Sequence, residues 1–259
     1  MTSKKHYSLR DIRRGLAYFA IGRPIAGILR LIIIVLIVQM LGKADYGAYL
    51  SLEAGMHILL AISLIGCDWI GLRYLPQYRT SASTAKVLAF ALKLIFFRFG
   101  VLIIIFLCIW PLAESAARLS GLSDYATALQ LFLLVLIFEG AASFFCTVIF
   151  EALLLQGAAQ SNIVLRNTVM VAGLVTLWSL ADRHQLDIEQ VISVEIAAVA
   201  VALVVAITQF AWYGFRELRA PDEQASTLVV PLRQMLKLGL NNYVSCLTSA
   251  PMEQTSGIA

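Results

Sequence analysis

The chain has 259 residues, of which 60% are hydrophobic and 14% charged, with a formal net charge of +4 and a mean hydropathy of +0.82. Such a composition is too apolar for a soluble domain and points to an all-α, polytopic transmembrane helical bundle. The small positive balance is spread over loops, so it offers no footprint for nucleic acid.

In chain order, Met1 to Arg14 is polar and basic, with Lys4, Lys5, Arg10, Arg13 and Arg14. Its Leu9, Ile12, Leu16 spacing suits a cytoplasmic segment lying along the membrane surface. Gly15 to Gly42 is the first span, because about 20 apolar residues at ~1.5 Å each cross a bilayer core of ~30 Å. It carries Arg23 and Arg30 in its interior. No small-residue cleavage pattern follows, so this span is expected to stay as an uncleaved anchor. Pro24 removes one helical hydrogen bond and predicts a bend near Gly22 to Pro24.

The second span is expected at about Tyr49 to Gly71, followed by a polar stretch, Arg73 to Lys86. Spans three and four follow at about Val87 to Leu112 and Tyr125 to Gln156, the latter long enough to require tilt or protrusion. Gly157 to Ser161 reads as a tight connection, span five as about Asn162 to Leu180, and span six as about Ile188 to Tyr213. From Gly214 the composition turns charged and proline-containing, which predicts a connector. A seventh apolar stretch runs from about Leu232 to Ser249. The expected organisation is a cytoplasmic segment (1–14), a six-helix lobe (15–213), a cytoplasmic linker (214–231) and the incomplete start of a second lobe (232–259). With the N-terminus inside, twelve Lys and Arg residues fall on the inner side against three outside, Lys43, Arg118 and Arg183, a strong positive-inside bias.

Five basic residues remain within spans: Arg23, Arg30, Lys93, Arg98 and Arg166. An arginine at the bilayer centre facing lipid costs roughly 2.5–3.5 kcal/mol, so mid-depth Arg30 and Arg98 are expected to face other helices or a wet cavity. Arg23, Gly27 and Arg30 share one helical face by their spacing, though Arg23 also lies where it can snorkel to the near interface. Glu139 has the depth of Arg30 and Arg98, and the three are candidates to meet. Glu139 then either ties helices together by pairing with one arginine or stands beside surplus positive charge that receives an anion, for which the planar guanidinium fork suits phosphate. Lys93 lies about 140° from Arg98 on an ideal helix and is expected to snorkel. Arg166, placed one turn into span five, reads as an interface anchor.

Glu53 and His57 are i, i+4 neighbours and, with Glu195, are candidates either for proton carriage or for a satisfied helix-face contact. Asp68 and Glu151 lie near inner ends, opposite loop arginines such as Arg73 or Arg79. Cys67, Cys108, Cys146 and Cys246 show no paired spacing and read as core filler. The histidines, His6, His57 and His184, are too dispersed for a metal set, and no catalytic motif is present. No enzyme activity, metal or cofactor is expected.

Three segments carry a resemblance: LGKADYGAYLSL (Leu41 to Leu52), GLRYLPQY (Gly71 to Tyr78) and LLLQGAAQSNIVLRN (Leu153 to Asn167). They resemble the ends of spans one, two and four in Wzx-type lipid-linked oligosaccharide flippases of the multidrug/oligosaccharidyl-lipid/polysaccharide exporter superfamily. The resemblance covers roughly residues 10 to 245. It implies two six-helix lobes joined by a cytoplasmic linker, alternating access, and a bacterial inner-membrane location. The implied substrate is an undecaprenyl-pyrophosphate-linked sugar unit, as in O-antigen and lipopolysaccharide assembly. On that basis Arg30, Arg98 and Arg23 are candidates for the anionic head group, with Glu139, Glu53 and His57 as candidates for ion coupling or structural pairing. This chain then corresponds to the N-terminal lobe, with a C-terminal lobe or a dimer mate completing it. Membrane lipids, a polysaccharide polymerase and glycosyltransferases are the other expected partners. Two other functions compete: a cation-coupled multidrug or metabolite exporter of the same superfamily, and a non-transporting scaffold for polysaccharide assembly.

Overall fold

Backbone polar groups in a bilayer core have no water to bond, so a spanning segment must satisfy them internally, and helices do so. The computed structural model describes residues 9–119, 121–181 and 186–218, and its regular structure there is helical throughout. The main helices are α1 (Leu9–Met40), α2 (Lys43–Leu64), α3 (Cys67–Ser81), α4 (Thr84–Ile109), α5 (Ala113–Leu119), α6 (Ala126–Phe144), α7 (Gln156–Leu180) and α8 (Ile188–Leu218). A π-helical segment, Phe145–Phe150, prolongs α6. Among the described residues six helical stretches are long and apolar enough to cross a membrane: Arg13–Met40, Lys43–Leu64, Thr84–Leu119, Ser123–Phe150, Gln156–Leu180 and Ile188–Arg216. The chain is an all-α, multi-pass membrane bundle. The seventh apolar stretch and the linker beyond Leu218 lie outside the described residues, as do Met1 to Ser8, His184 and Cys246.

The fourth span is the hub: most of it is buried inside the protein, whereas the first span is almost wholly exposed. Helix α1 packs along α7 and only lightly on α2, while α6 packs on α8. The α1–α7 approach is close because Gly22 has no side chain; a Cβ there would lie 2.8 Å from Cβ of Gln160. The apolar side chains bury in two clusters. One contains Cys67, Leu75, Leu94, Phe145, Phe150 and Phe210, and the other Met40, Tyr49, Leu102, Phe132, Leu174 and Ile192. Along α7 the switch between clusters falls around Arg166, between Ile163 and Val169, while on α4 it falls between Phe99 and Leu102 and on α8 between Ala198 and Val199.

Several boundaries differ from the sequence-based expectation. Span two does not run to Gly71; α2 stops at Leu64, and Ile65 and Gly66 take φ values of 43° and 73° before α3 begins. Two successive left-handed residues end a helix, and the first of them is not glycine. The Arg73 to Lys86 stretch is helical up to Ser81. The fourth apolar run ends in a turn, with Leu154 at φ 55°, so its last residues do not belong to a span. Gly157 to Ser161 is not a connection but the opening of α7. Helix α1 begins by Leu9 and runs unbroken through Pro24, so Leu9 to Arg14 is continuous with the first span. Gly214 to Leu218 likewise belong to α8.

Candidate functional site

Moving the start of α7 back to Gln156 changes the depth of everything after it. Arg166 then sits about 15 Å along its helix, at mid-depth, not one turn from the inner face. There it forms the centre of a charge network. Its Nη1 donates to Oε1 of Glu139 at 2.5 Å, and its Nη2 lies 4.0 Å from Oε1 of Glu195. The Tyr49 hydroxyl donates to Oε2 of Glu195 at 3.0 Å. Three spans supply the charges and α2 supplies the hydroxyl, so the network ties four helices together. Glu139 therefore pairs with Arg166, not with Arg30 or Arg98 as expected.

Arg98 takes a different place again. It is 2% exposed, and its Nη1 and Nη2 donate to the Ser63 hydroxyl at 2.5 Å and the Leu60 carbonyl at 3.4 Å. Those acceptors belong to the last turn of α2, where a cation and its donors suit the unsatisfied carbonyls. Asp68, at the start of α3, is within electrostatic reach of Arg98. The guanidinium thus spans the break between α2 and α3, and the expected meeting of Arg30, Arg98 and Glu139 does not occur.

Arg30, midway along the apolar part of α1, faces open space. Its side chain is 58% exposed, and its Nη2 lies 3.3 Å from Oε1 of Glu53. Nε2 of His57 lies 3.7 Å from the same carboxylate oxygen, with the imidazole 53% exposed. Beside this trio a cavity of about 120 Å³ opens between α1, α2, α7 and α8. Arg30, Glu53, Tyr49, Arg166, Asn167 and Glu195 bring polar atoms to its wall. Nδ2 of Asn167 donates to the Ala26 carbonyl at 3.0 Å, pinning α7 to α1 just inside the cavity.

The expected surplus of positive charge is absent. Arg30 and Arg166 face Glu53 and Glu195 across the cavity, and Glu139 adds a third carboxylate behind Arg166. The physical reason is twofold: Arg98 is committed to the end of α2, and Glu195 is buried at the same depth as Arg166.

Arg23 lies elsewhere on α1, exposed, with its guanidinium carbon 4.9 Å from the centroid of the Phe19 ring. Glu151, just beyond the fourth span, is raised above the ordinary carboxylate range by burial, with Arg23 opposing the shift. Arg23 is thus a cation within electrostatic reach of Glu151, and Arg79 donates to the Leu153 carbonyl. Lys93 is exposed. Cys67 and Cys146 are buried, and Cys108 is exposed. Among the described residues no three His, Cys, Asp or Glu side chains gather where a metal ion could be held.

Residues 12–251 match the model of a family described as polysaccharide biosynthesis protein. No curated protein and no solved structure matches the chain.

Proposed function

The chain belongs to the polysaccharide biosynthesis protein family, a transporter family, and from that premise we propose that it helps move a lipid-linked oligosaccharide across the bacterial inner membrane. The substrate is an undecaprenyl-pyrophosphate-linked sugar unit, and transport proceeds by alternating access. The six spans form one lobe, with its N-terminus in the cytoplasm, and a second lobe or a second copy faces the exposed side of α1 and α2. Polymerase and glycosyltransferase partners supply and use the same lipid-linked unit.

One observation carries this reading: Arg30, Glu53 and His57 are exposed or partly exposed within spans, Arg30 and Glu53 on the wall of a cavity that ionisable groups share with aliphatic ones. A lipid-facing wall with three ionisable groups there is too costly. The α1–α2 face therefore lines water between lobes, and Arg30 presents its fork to the pyrophosphate. Arg166 supports it from the far wall. Arg23, nearer the cytoplasmic end, meets the head group as it enters. Arg98 contributes by holding the α2–α3 break that shapes this wall, because its burial leaves it no path to the ligand.

The acid count favours a second reading, a cation-coupled exporter of the same superfamily, since three carboxylates surround two arginines. Transport of lipid-linked oligosaccharide into inside-out vesicles separates the two. Arg30→Ala is expected to abolish it while the protein inserts normally. Absence of lipid-linked oligosaccharide transport by the wild-type protein, with ion-gradient-driven efflux of a cationic drug that Glu195→Gln loses and Arg30→Ala keeps, would favour the exporter.

A further inference from the structure

An anion must compete with Glu53 for Arg30, because Oε1 of Glu53 already lies 3.3 Å from Nη2 and its charge offsets that of the guanidinium. The same oxygen, Oε1, has His57 at 3.7 Å on the next turn of α2. One carboxylate oxygen thus has two rival partners, and one of them is an imidazole, the side chain whose charge ordinarily changes between about pH 5 and 8. We propose that His57 is a proton-operated release for Arg30. When Nε2 gains a proton, Glu53 turns to the imidazolium, and the freed guanidinium takes the phosphate of the head group. When the proton leaves, Glu53 returns to Arg30 and the anion is expelled. This rests on the assignment of Arg30 to the head group made above.

The geometry suits such an exchange. Arg30 and His57 are both more than half exposed, so each can be reached by water, and the carboxylate between them needs only a small rotation. The other charged and titratable groups of the pocket are committed elsewhere. On α2, Tyr49 donates to Glu195 of α8, and Tyr46 lines the cavity without a charge. On α7, Arg166 is held by Glu139 of α6. None of these competes for Oε1 of Glu53. Without the exchange, the pocket's excess of carboxylate would repel a polyanion; with it, one proton converts the Arg30 side of the wall from neutral to positive.

The test uses the full chain in detergent micelles with inorganic pyrophosphate as probe, its binding followed by calorimetry. Wild-type affinity is expected to be about tenfold higher near pH 5.5 than near pH 8, the order expected for one coupled proton. His57→Gln should lose that pH dependence, apart from the part owed to pyrophosphate's own titration. Glu53→Gln and His57→Arg should bind tightly at both pH values. Arg30 and His57 are more than half exposed and Glu53 is partly so, and thermal unfolding of each variant verifies that the fold is kept. If His57→Gln keeps the wild-type slope while Arg30→Ala no longer binds, the release mechanism is overturned and the head-group site stands. If binding is the same in Arg30→Ala as in wild type, the head-group assignment falls as well. Repetition in nanodiscs decides the source of the phosphate: competition by phosphatidylglycerol but not phosphatidylcholine would assign the site to bilayer lipid and overturn the substrate assignment.

Discussion

The two arginine sites at mid-depth, Arg166 between α6, α7 and α8, and Arg30 on the α1–α2 face, use the same chemistry to opposite ends. Arg166 is mostly buried, with one edge on the cavity wall, and is shared by two acids, one of which is also held by Tyr49. Arg30 stands half in the open with a single, longer contact to Glu53. A buried pair is costly to desolvate and far costlier to break, because the survivor is left as an unpaired charge. An exposed pair is screened and worth little, so it can be given up to a ligand. The charge that holds the bundle together is therefore the one that cannot move, and the charge free to work is the one that contributes least to stability.

Unfolding in detergent should rank substitutions by this contrast. Arg166→Ala is expected to have the largest effect, about 3 kcal/mol lost, since it strands Glu139 and Glu195 together. A variant as stable as wild type would mean that this network is wet. Tyr49→Phe removes one interhelical hydrogen bond and should destabilise by about 1 kcal/mol, read as a lowered unfolding midpoint. Arg98→Lys keeps the charge but loses the fork that reaches Ser63 and Leu60 together, with an expected loss of about 1 kcal/mol or less. Its sharper signature is local: faster amide exchange on either side of Ile65 and Gly66, without change around Arg166. Arg30→Ala should change stability by less than about 0.5 kcal/mol yet lose transport, and a large destabilisation there would erase the distinction between the two sites.

Much of the fold was legible from apolar run lengths, because a bilayer demands long helices and leaves few alternatives. The most consequential error came from polarity. AAQSN (Ala158 to Asn162) looks like a loop by polarity, yet in α7 Gln160 and Asn162 are buried at helix contacts. Reading it as helix would have placed Arg166 at mid-depth and revealed the network, with Glu195, two turns into the sixth span, as the second acid. The α2–α3 break left only Gly66 as a signal, and the left-handed Ile65 beside it leaves none. Position along a helix was readable for Arg30, Arg98 and Glu139, but it does not fix rotation about the helix axis, and rotation decides who meets whom. The contact between Glu53 and His57 could be read from the i, i+4 spacing because both lie on one helix. The contact between Arg30 and Glu53 needed the packing of two.

Water access separates the two sites most directly. In a background without the native cysteines, Glu53→Cys and Glu195→Cys variants would each be treated in intact membranes with a small, membrane-impermeant thiol reagent. Rapid modification at position 53 and protection at position 195 is the predicted result. Protection of both, or equal reactivity of both, would contradict the division of the bundle into a wet α1–α2 wall and a dry network behind it.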